Sequence, residues 1–251
     1  MRTLWFIMLA IVPLSMTAQR ASTPPWLVNA TAGISIRLAG SNASTTAAST
    51  YTAGPAFRPG DNTLMFAMVV NSKASAPDIP TGSGHGLTWT QIRTTNYNTL
   101  ASPTCRLTIF YARTRSSNTT NAFVADFAGV NQTGCIVQVV EVAQVYTSGT
   151  QGTNGVLQIV HGGNNANTNA VATYGTLTGT RDLTIGWVGG SLNSANNAAE
   201  SGWTKLADQN YNNPATEGTT VYKLQANDTS FLVTNAASMS WAVVATELLQ
   251  R

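Results

Sequence analysis

Charge is what this chain has least of. Of its 251 residues, 13 are Lys or Arg and 10 are Asp or Glu, 9% in all, where a soluble domain commonly has about a quarter. The formal net charge is only +3 and no basic run gathers it, which argues against a nucleic-acid partner. Long apolar runs are missing too. Leu4–Leu14 is too short to cross a bilayer, and no later segment approaches the ~20 apolar residues of a spanning helix. No stretch keeps a helical period, and no Gly-x-Ser-x-Gly, Walker or dinucleotide fingerprint occurs. The two histidines, His85 and His161, stand in Gly-rich segments with no Cys or acidic residue at metal-ligand spacing. They read as solvent-exposed loop histidines, and the chain calls for no metal and no cofactor.

What the chain does have is Thr, Asn, Ser, Ala and Gly, interrupted by short apolar bursts that bring the hydrophobic share to 43%. That share is too high for disorder. Neutral polar residues can solvate a sheet surface without charge. Thirteen bursts read as strands: Ile34–Leu38, Thr63–Val70, Leu87–Arg93, Arg106–Arg113, Ala122–Phe127, Cys135–Val145, Val156–Val160, Ala170–Leu177, Asp182–Val188, Gly202–Leu206, Thr219–Leu224, Ser230–Thr234 and Ser240–Leu249. Their spacing, with turn residues between them, predicts an all-β, two-sheet sandwich of jelly-roll or lectin-like type. The unbroken Leu64–Val70 run should be buried on both faces. The alternation in Leu107–Tyr111 and Val221–Leu224 should leave one face wet.

The chain also repeats itself. Trp89-Thr90-Gln91-Ile92, three residues, then Asn96-Tyr97-Asn98 recurs as Trp203-Thr204-Lys205-Leu206, three residues, then Asn210-Tyr211-Asn212. Leu64–Val70 answers Leu183–Val188, Thr108–Tyr111 answers Thr219–Tyr222, and Phe123–Phe127 answers Phe231–Asn235. Ile136–Val142 with Glu141 answers Trp241–Leu248 with Glu247, while the offset falls from 119 (Leu64 to Leu183) to 106 (Glu141 to Glu247). A repeat this long implies two related halves, roughly 60–145 and 180–250, not a solenoid. Val156–Leu177 has no evident counterpart in the first half, and Ile34–Leu38 would lack partners if the halves separated. Residues 19–251 therefore read as one closed sandwich with internal pseudo-symmetry.

At the N-terminus, Met1-Arg2, the apolar Leu4–Leu14 and the small residues of Ser15–Ala18 predict an export signal over 1–18. An oxidising destination gives Cys105 and Cys135 two readings. They could close a loop of about 30 residues, worth ~3–4 kcal/mol on the chain-entropy model, or pack as two buried free thiols. The strand after Gly60-Asp61, the Gly-Leu-Thr-Trp-Thr of 86–90, the Leu-Thr-Ile-Phe-Tyr-Ala-Arg of 107–113 and the Val-Glu-Val-Ala-Gln-Val of 140–145 resemble a broad group of jelly-roll-like β-sandwich domains. These occur in secreted bacterial and phage-associated proteins, many of unknown function. The resemblance implies a fold and an extracellular or virion setting, and it carries no functional residue across.

Chemistry has few candidates. The carboxylates are scattered singly. Glu141 and Glu247 hold matching places, each expected either on a solvent face or buried with a partner such as Arg106 or Lys223. An acid/base couple across the repeat would make the chain a glycan-cleaving enzyme. Loop carboxylates such as Asp61 and Asp228 lack the alternating oxygen ligands of a calcium site. Binding is the preferred reading: an aromatic face with amides and hydroxyls suits a sugar ring. Asn96, Tyr97, Asn98, Asn210, Tyr211 and Asn212 supply that chemistry twice, unless the tyrosines cap the core and the Asn residues hold turns. Trp89, Trp187, Trp203 and Trp241 are expected in the core. The function expected is a non-catalytic extracellular module for glycan binding or surface attachment. The rival is a self-associating structural subunit of a virion or extracellular assembly.

Overall fold

β-Branched and aromatic bursts separated by Gly, Asn and Pro leave the chain little choice but strands. The computed structural model describes residues 28–29, 33–177, 182–193, 197–224 and 230–251, the side chains of 28, 29, 164, 165 and 236 apart. The expected leader over 1–18 and Asp228 lie outside the described residues. The first half contains β1 (Val28–Asn29), β2 (Ser35–Ser44), β3 (Thr50–Phe57), β4 (Leu64–Lys73), β5 (Thr81–Ser83), β6 (Thr90–Tyr97), β7 (Thr104–Arg113), β8 (Asn121–Asp126) and β9 (Gly134–Ala143). A 3-10 turn over Thr150–Gly155 leads into the second. There follow β10 (Val156–Thr173), β11 (Leu183–Gly190), β12 (Ala198–Ala199), β13 (Thr204–Tyr211), β14 (Thr216–Leu224) and β15 (Ser230–Leu248).

Each half makes its own antiparallel sheet, and the two sheets form a β-sandwich. The first runs β5-β8-β3-β2-β9-β4-β7-β6 with β1 on β2. The second runs β10-β15-β11-β14-β13 with β12 on β15. Pairing is nested: β2 with β9, β3 with β8, β4 with β7. The second half repeats this nesting inside one long hairpin. The start of β10 pairs with the end of β15 (Ile159↔Thr246), its end with the start of β15 (Val171↔Leu232), and β11 pairs with β14. A long hairpin wound on itself in this way is a jelly roll.

The register makes the repeat quantitative. Phe66↔Tyr111 answers Ile185↔Tyr222, and Met65↔Glu141 answers Thr184↔Glu247. Even the bulges coincide, between Gln91 and Arg93 on β6 and between Lys205 and Ala207 on β13. Val156–Leu177, which looked unmatched, is the counterpart of β2 and β3 joined without a turn. The Ile34–Leu38 segment pairs with β9 of its own half. Both bends rest on a glycine. A Cβ on Gly40 would stand 3.2 Å from the Gly54 carbonyl oxygen, and one on Gly162 would overlap the Val171 carbonyl.

Three apolar layers result. The central one joins the halves: Leu64, Phe66, Met68 and Val70 of β4 and Leu107 and Ile109 of β7 meet Ile185 and Trp187 of β11 and Val244 and Leu248 of β15. Outside the first sheet, β3 and β8 fold over Met65, Ala67, Val69 and Phe110, so β7 is buried on both faces instead of one. Outside the second, the far end of the β10–β15 hairpin covers Val188, Val221, Trp241 and Val243. An edge-to-face pair anchors each cover: Trp89 on Phe123 at 4.7 Å, and Trp203 on Phe231 at 5.1 Å. Leu64–Val70 is wholly buried, as its composition requires.

The two cysteines are free thiols, which corrects the disulfide alternative. Cys105 on β7 and Cys135 on β9 flank β4, pairing with Ser72 and Asn71 respectively. Two inter-strand spacings of about 4.8 Å exceed the reach of a disulfide, about 7 Å between Cα atoms. They also face opposite ways, Cys105 into the central layer and Cys135 into the outer one.

Candidate functional site

The tyrosines of the repeated motif end strands β6 and β13, at the edges of the two sheets. Tyr97 sits opposite Cys105 on an inward-facing register position, and Tyr211 opposite Thr216. Both rings are buried, at 2% and 7% exposure, and neither offers a face to a sugar. Each instead reaches into the other half. The Tyr97 hydroxyl donates to the Gly190 carbonyl at 3.5 Å, and the Tyr211 hydroxyl meets Ser72 Oγ at 2.9 Å. Burial drives both phenol pKa values upward. The Asn residues divide by position. Asn98 takes a left-handed turn and donates to the Pro103 carbonyl at 2.8 Å. Asn212 accepts from Asn193, and Asn96 remains exposed at the rim.

The two matched glutamates do not form a catalytic couple. Glu141 points out of the first sheet, where Arg37 Nε (2.6 Å), the Gly60 amide (2.6 Å) and the Thr63 hydroxyl (3.2 Å) all donate to it. Its partner is thus Arg37, not Arg106 or Lys223, because β2 and not β7 neighbours β9. Arg106 donates to the Pro77 carbonyl and Thr94 instead. Glu247, opposite Thr184, points out of the second sheet and accepts from Gln158 Nε2 at 2.6 Å. The central layer lies between the two carboxylates.

His85 was expected in solvent and is completely buried. Its turn tucks under the β3–β8 cover, its ring 4.3 Å from that of Phe57, with Nδ1 3.1 Å from the Phe57 carbonyl oxygen. Nε2 meets no hydrogen-bond geometry with the described residues. Desolvation therefore lowers the imidazole pKa. His161 lies not in a loop but on β10, exposed.

An open, polar cleft of about 370 Å³ lies where the edge of the first sheet meets the β10–β15 hairpin. Arg93, Thr95 and Tyr97 of β6, Asn96 and Thr99 form one side. His161, Gly162 and Gly163 of β10 and Trp241 of β15 form the other. The bulge after Gln91 turns Arg93 to the inner face, opposite Ile109. Trp241 is almost buried, and its indole N–H has no hydrogen-bond partner among the described residues. Arg93 and His161 make no hydrogen bond or ion pair with described residues. Of the six expected contact residues the cleft includes Asn96 and Tyr97, and it adds Arg93, His161 and Trp241, which no local sequence signal links. They come together only when β6 crosses the second sheet.

At the pseudo-symmetric place, where β13 meets β2 and β9, the equivalent positions carry different residues. Register places Ala207 at the position of Arg93, Gln209 at that of Thr95 and Cys135 at that of Trp241. Ser41, opposite Gln138, takes the place of His161, opposite Val244. A further concavity of about 480 Å³ lies among Arg113, Tyr146, Ser148 and Arg251.

No family model matches the chain, and neither a curated protein nor a solved structure does. Among the described residues, no helix is long and apolar enough to cross a membrane.

Proposed function

We propose that this chain is a non-catalytic extracellular binding module that holds a glycan in the cleft between β6 and the β10–β15 hairpin. The observation that carries the reading is the lining itself. Asn96 and Thr99 present an amide and a hydroxyl at the rim, and Trp241 adds part of an aromatic surface to the wall. Sugar hydroxyl groups are recognised by such fixed polar groups beside an aromatic surface. Binding without cleavage is supported by the placement of Glu141 and Glu247 on opposite outer faces. Glycosidases need two carboxylates flanking one bond.

The test is a glycan-array screen of the folded chain, repeated with Asn96→Ala and Thr99→Ala. Both side chains are exposed, so the variants should fold normally and lose the signal. Loss with Tyr146→Ala in their place would move the site to the Arg113–Tyr146 concavity, and no signal with any sugar would sink the reading.

One observation favours the assembly subunit as a second reading. β10 ends its sheet, and along its 18 residues only β15 pairs with it among the described residues. An open strand edge is a template for another copy. The mass in solution, measured on the same sample, separates the two: a monomer that binds sugar supports the first, and an oligomer that binds none supports the second.

A further inference from the structure

We infer that the cleft selects a glycan bearing an anionic group, a uronate carboxylate or a sulfate ester, clasped by Arg93 with His161 on the facing wall. This rests on the glycan reading and specifies it. In a chain with so few charges, four cations among the described residues are held by carboxylates of the protein itself. Arg37 pairs with Glu141, Arg58 with Asp61, Lys73 with Asp78 and Lys205 with Asp208. Arg93 is exposed, faces the cleft and has no carboxylate partner among the described residues. No Asp or Glu is among the described residues lining the cleft, so nothing there offsets a basic wall. The guanidinium fork matches the two oxygens of a carboxylate or sulfate.

The pseudo-symmetric contact of β13 with β2 and β9 is an internal control. Packing needs the same β-edge at both places, and it is met at the second with Ala207, Ser41 and Cys135. Neither Arg93 nor His161 is therefore demanded by the fold. Two basic side chains from separate halves, brought to opposite walls of one cleft and left unpaired by the described residues, form a site of chosen sign.

The experiment is calorimetric titration of the folded chain with a short oligogalacturonide, its methyl-esterified neutral form, a sulfated galacto-oligosaccharide and the unsulfated parent. The acidic sugars should bind and their neutral forms should bind far more weakly, with added salt eroding the difference. Arg93→Gln should weaken acidic binding about ten- to a hundredfold, the range of a hydrogen bond to a charged group. Melting should stay unchanged, since Arg93 makes no hydrogen bond or ion pair with the described residues, and Arg93→Lys should recover part of the loss. Preference for the carboxylated or the sulfated sugar identifies the anion, and either supports the inference. Equal binding of acid and ester, or wild-type binding by Arg93→Gln, overturns the charge selection while leaving the glycan site standing. Silence from all the sugars overturns both.

Discussion

Removing the ring of Tyr211 should destabilise the whole sandwich, because that ring is where one half is keyed into the other. It is 7% exposed, its hydroxyl is 2.9 Å from Ser72 Oγ on β4, and it packs on Gly134 of β9. Truncating a buried aromatic costs about 3–5 kcal/mol. At about 2–4 °C per kcal/mol for a domain of this size, Tyr211→Ala should lower Tm by about 6–20 °C. Tyr211→Phe keeps the packing but strands the buried Ser72 hydroxyl, at about 1–3 kcal/mol. Tyr97→Phe should cost less, since its 3.5 Å contact to Gly190 is at the limit of a hydrogen bond. The contact can also be probed from the other side. A Cβ at Gly134 would stand 2.9 Å from two Tyr211 ring carbons, so Gly134→Ala should cost about 1–3 kcal/mol by overpacking. The assay is equilibrium denaturation followed by tryptophan fluorescence, with thermal melts alongside. A Tyr211→Ala protein that melts with wild type, or a Tyr97→Phe cost above that of Tyr211→Phe, would refute the keyed-halves argument.

Three other consequences are open to measurement. His85 titrates below its ordinary value of about 6.5 because it is buried, so beneath that pH the unfolded chain binds the extra proton. Stability should be full above about pH 6.5 and fall as pH drops toward the lowered folded value; His85→Asn should flatten this slope in denaturant titrations. Both thiols should be silent to a thiol reagent in native buffer and react once denatured, since burial lifts Cys105 to about 11 and Cys135 well above its ordinary value. A melting temperature that falls on adding reductant would contradict the free-thiol assignment. Glu141→Gln removes the charge that Arg37, the Gly60 amide and Thr63 share, and should cost about 1–3 kcal/mol in urea denaturation. Arg37→Gln, at the partly exposed end of the pair, should cost less.

Most of the sheet content was legible because period-two bursts and turn residues are local signals. Four strands escaped: β1, β5 and β12, of two or three residues each, and the longer β3, whose Gly54-Pro55 reads as a break and is tolerated because only part of β3 is laddered to β8. Burial was harder to read. The alternation in β7 is real, but the wet face it promised is covered by β3 and β8, and coverage is a property of the nested pairing. The same holds for His85, a Gly-flanked residue whose only local hint of burial is its neighbour Trp89. The repeat pairs Tyr97 with Tyr211, and both rings are buried with their hydroxyls on the other half. What it could not show was that each acts on the opposite half, since a contact between halves leaves no trace in either half alone.

Where the halves differ is as telling as where they agree. The Trp–Phe pairs, the edge bulges and the keyed tyrosines recur because the wound hairpin uses them twice. Other equivalent positions have diverged, and one divergence reverses charge: Arg106, opposite Asn96, corresponds to Glu217, opposite Asn210. Each of these has settled its charge at home. Arg106 binds the Pro77 carbonyl and Thr94, and Glu217 accepts from Asn197 at 2.7 Å. Such exchanges are repacking, complete within the fold. Arg93 against Ala207 and His161 against Ser41 are exchanges of another kind, for no described residue of the protein answers them. Exposed side chains that distinguish one half from the other, converge on one cleft and find no partner among the described residues are the places where a partner from outside has room to bind.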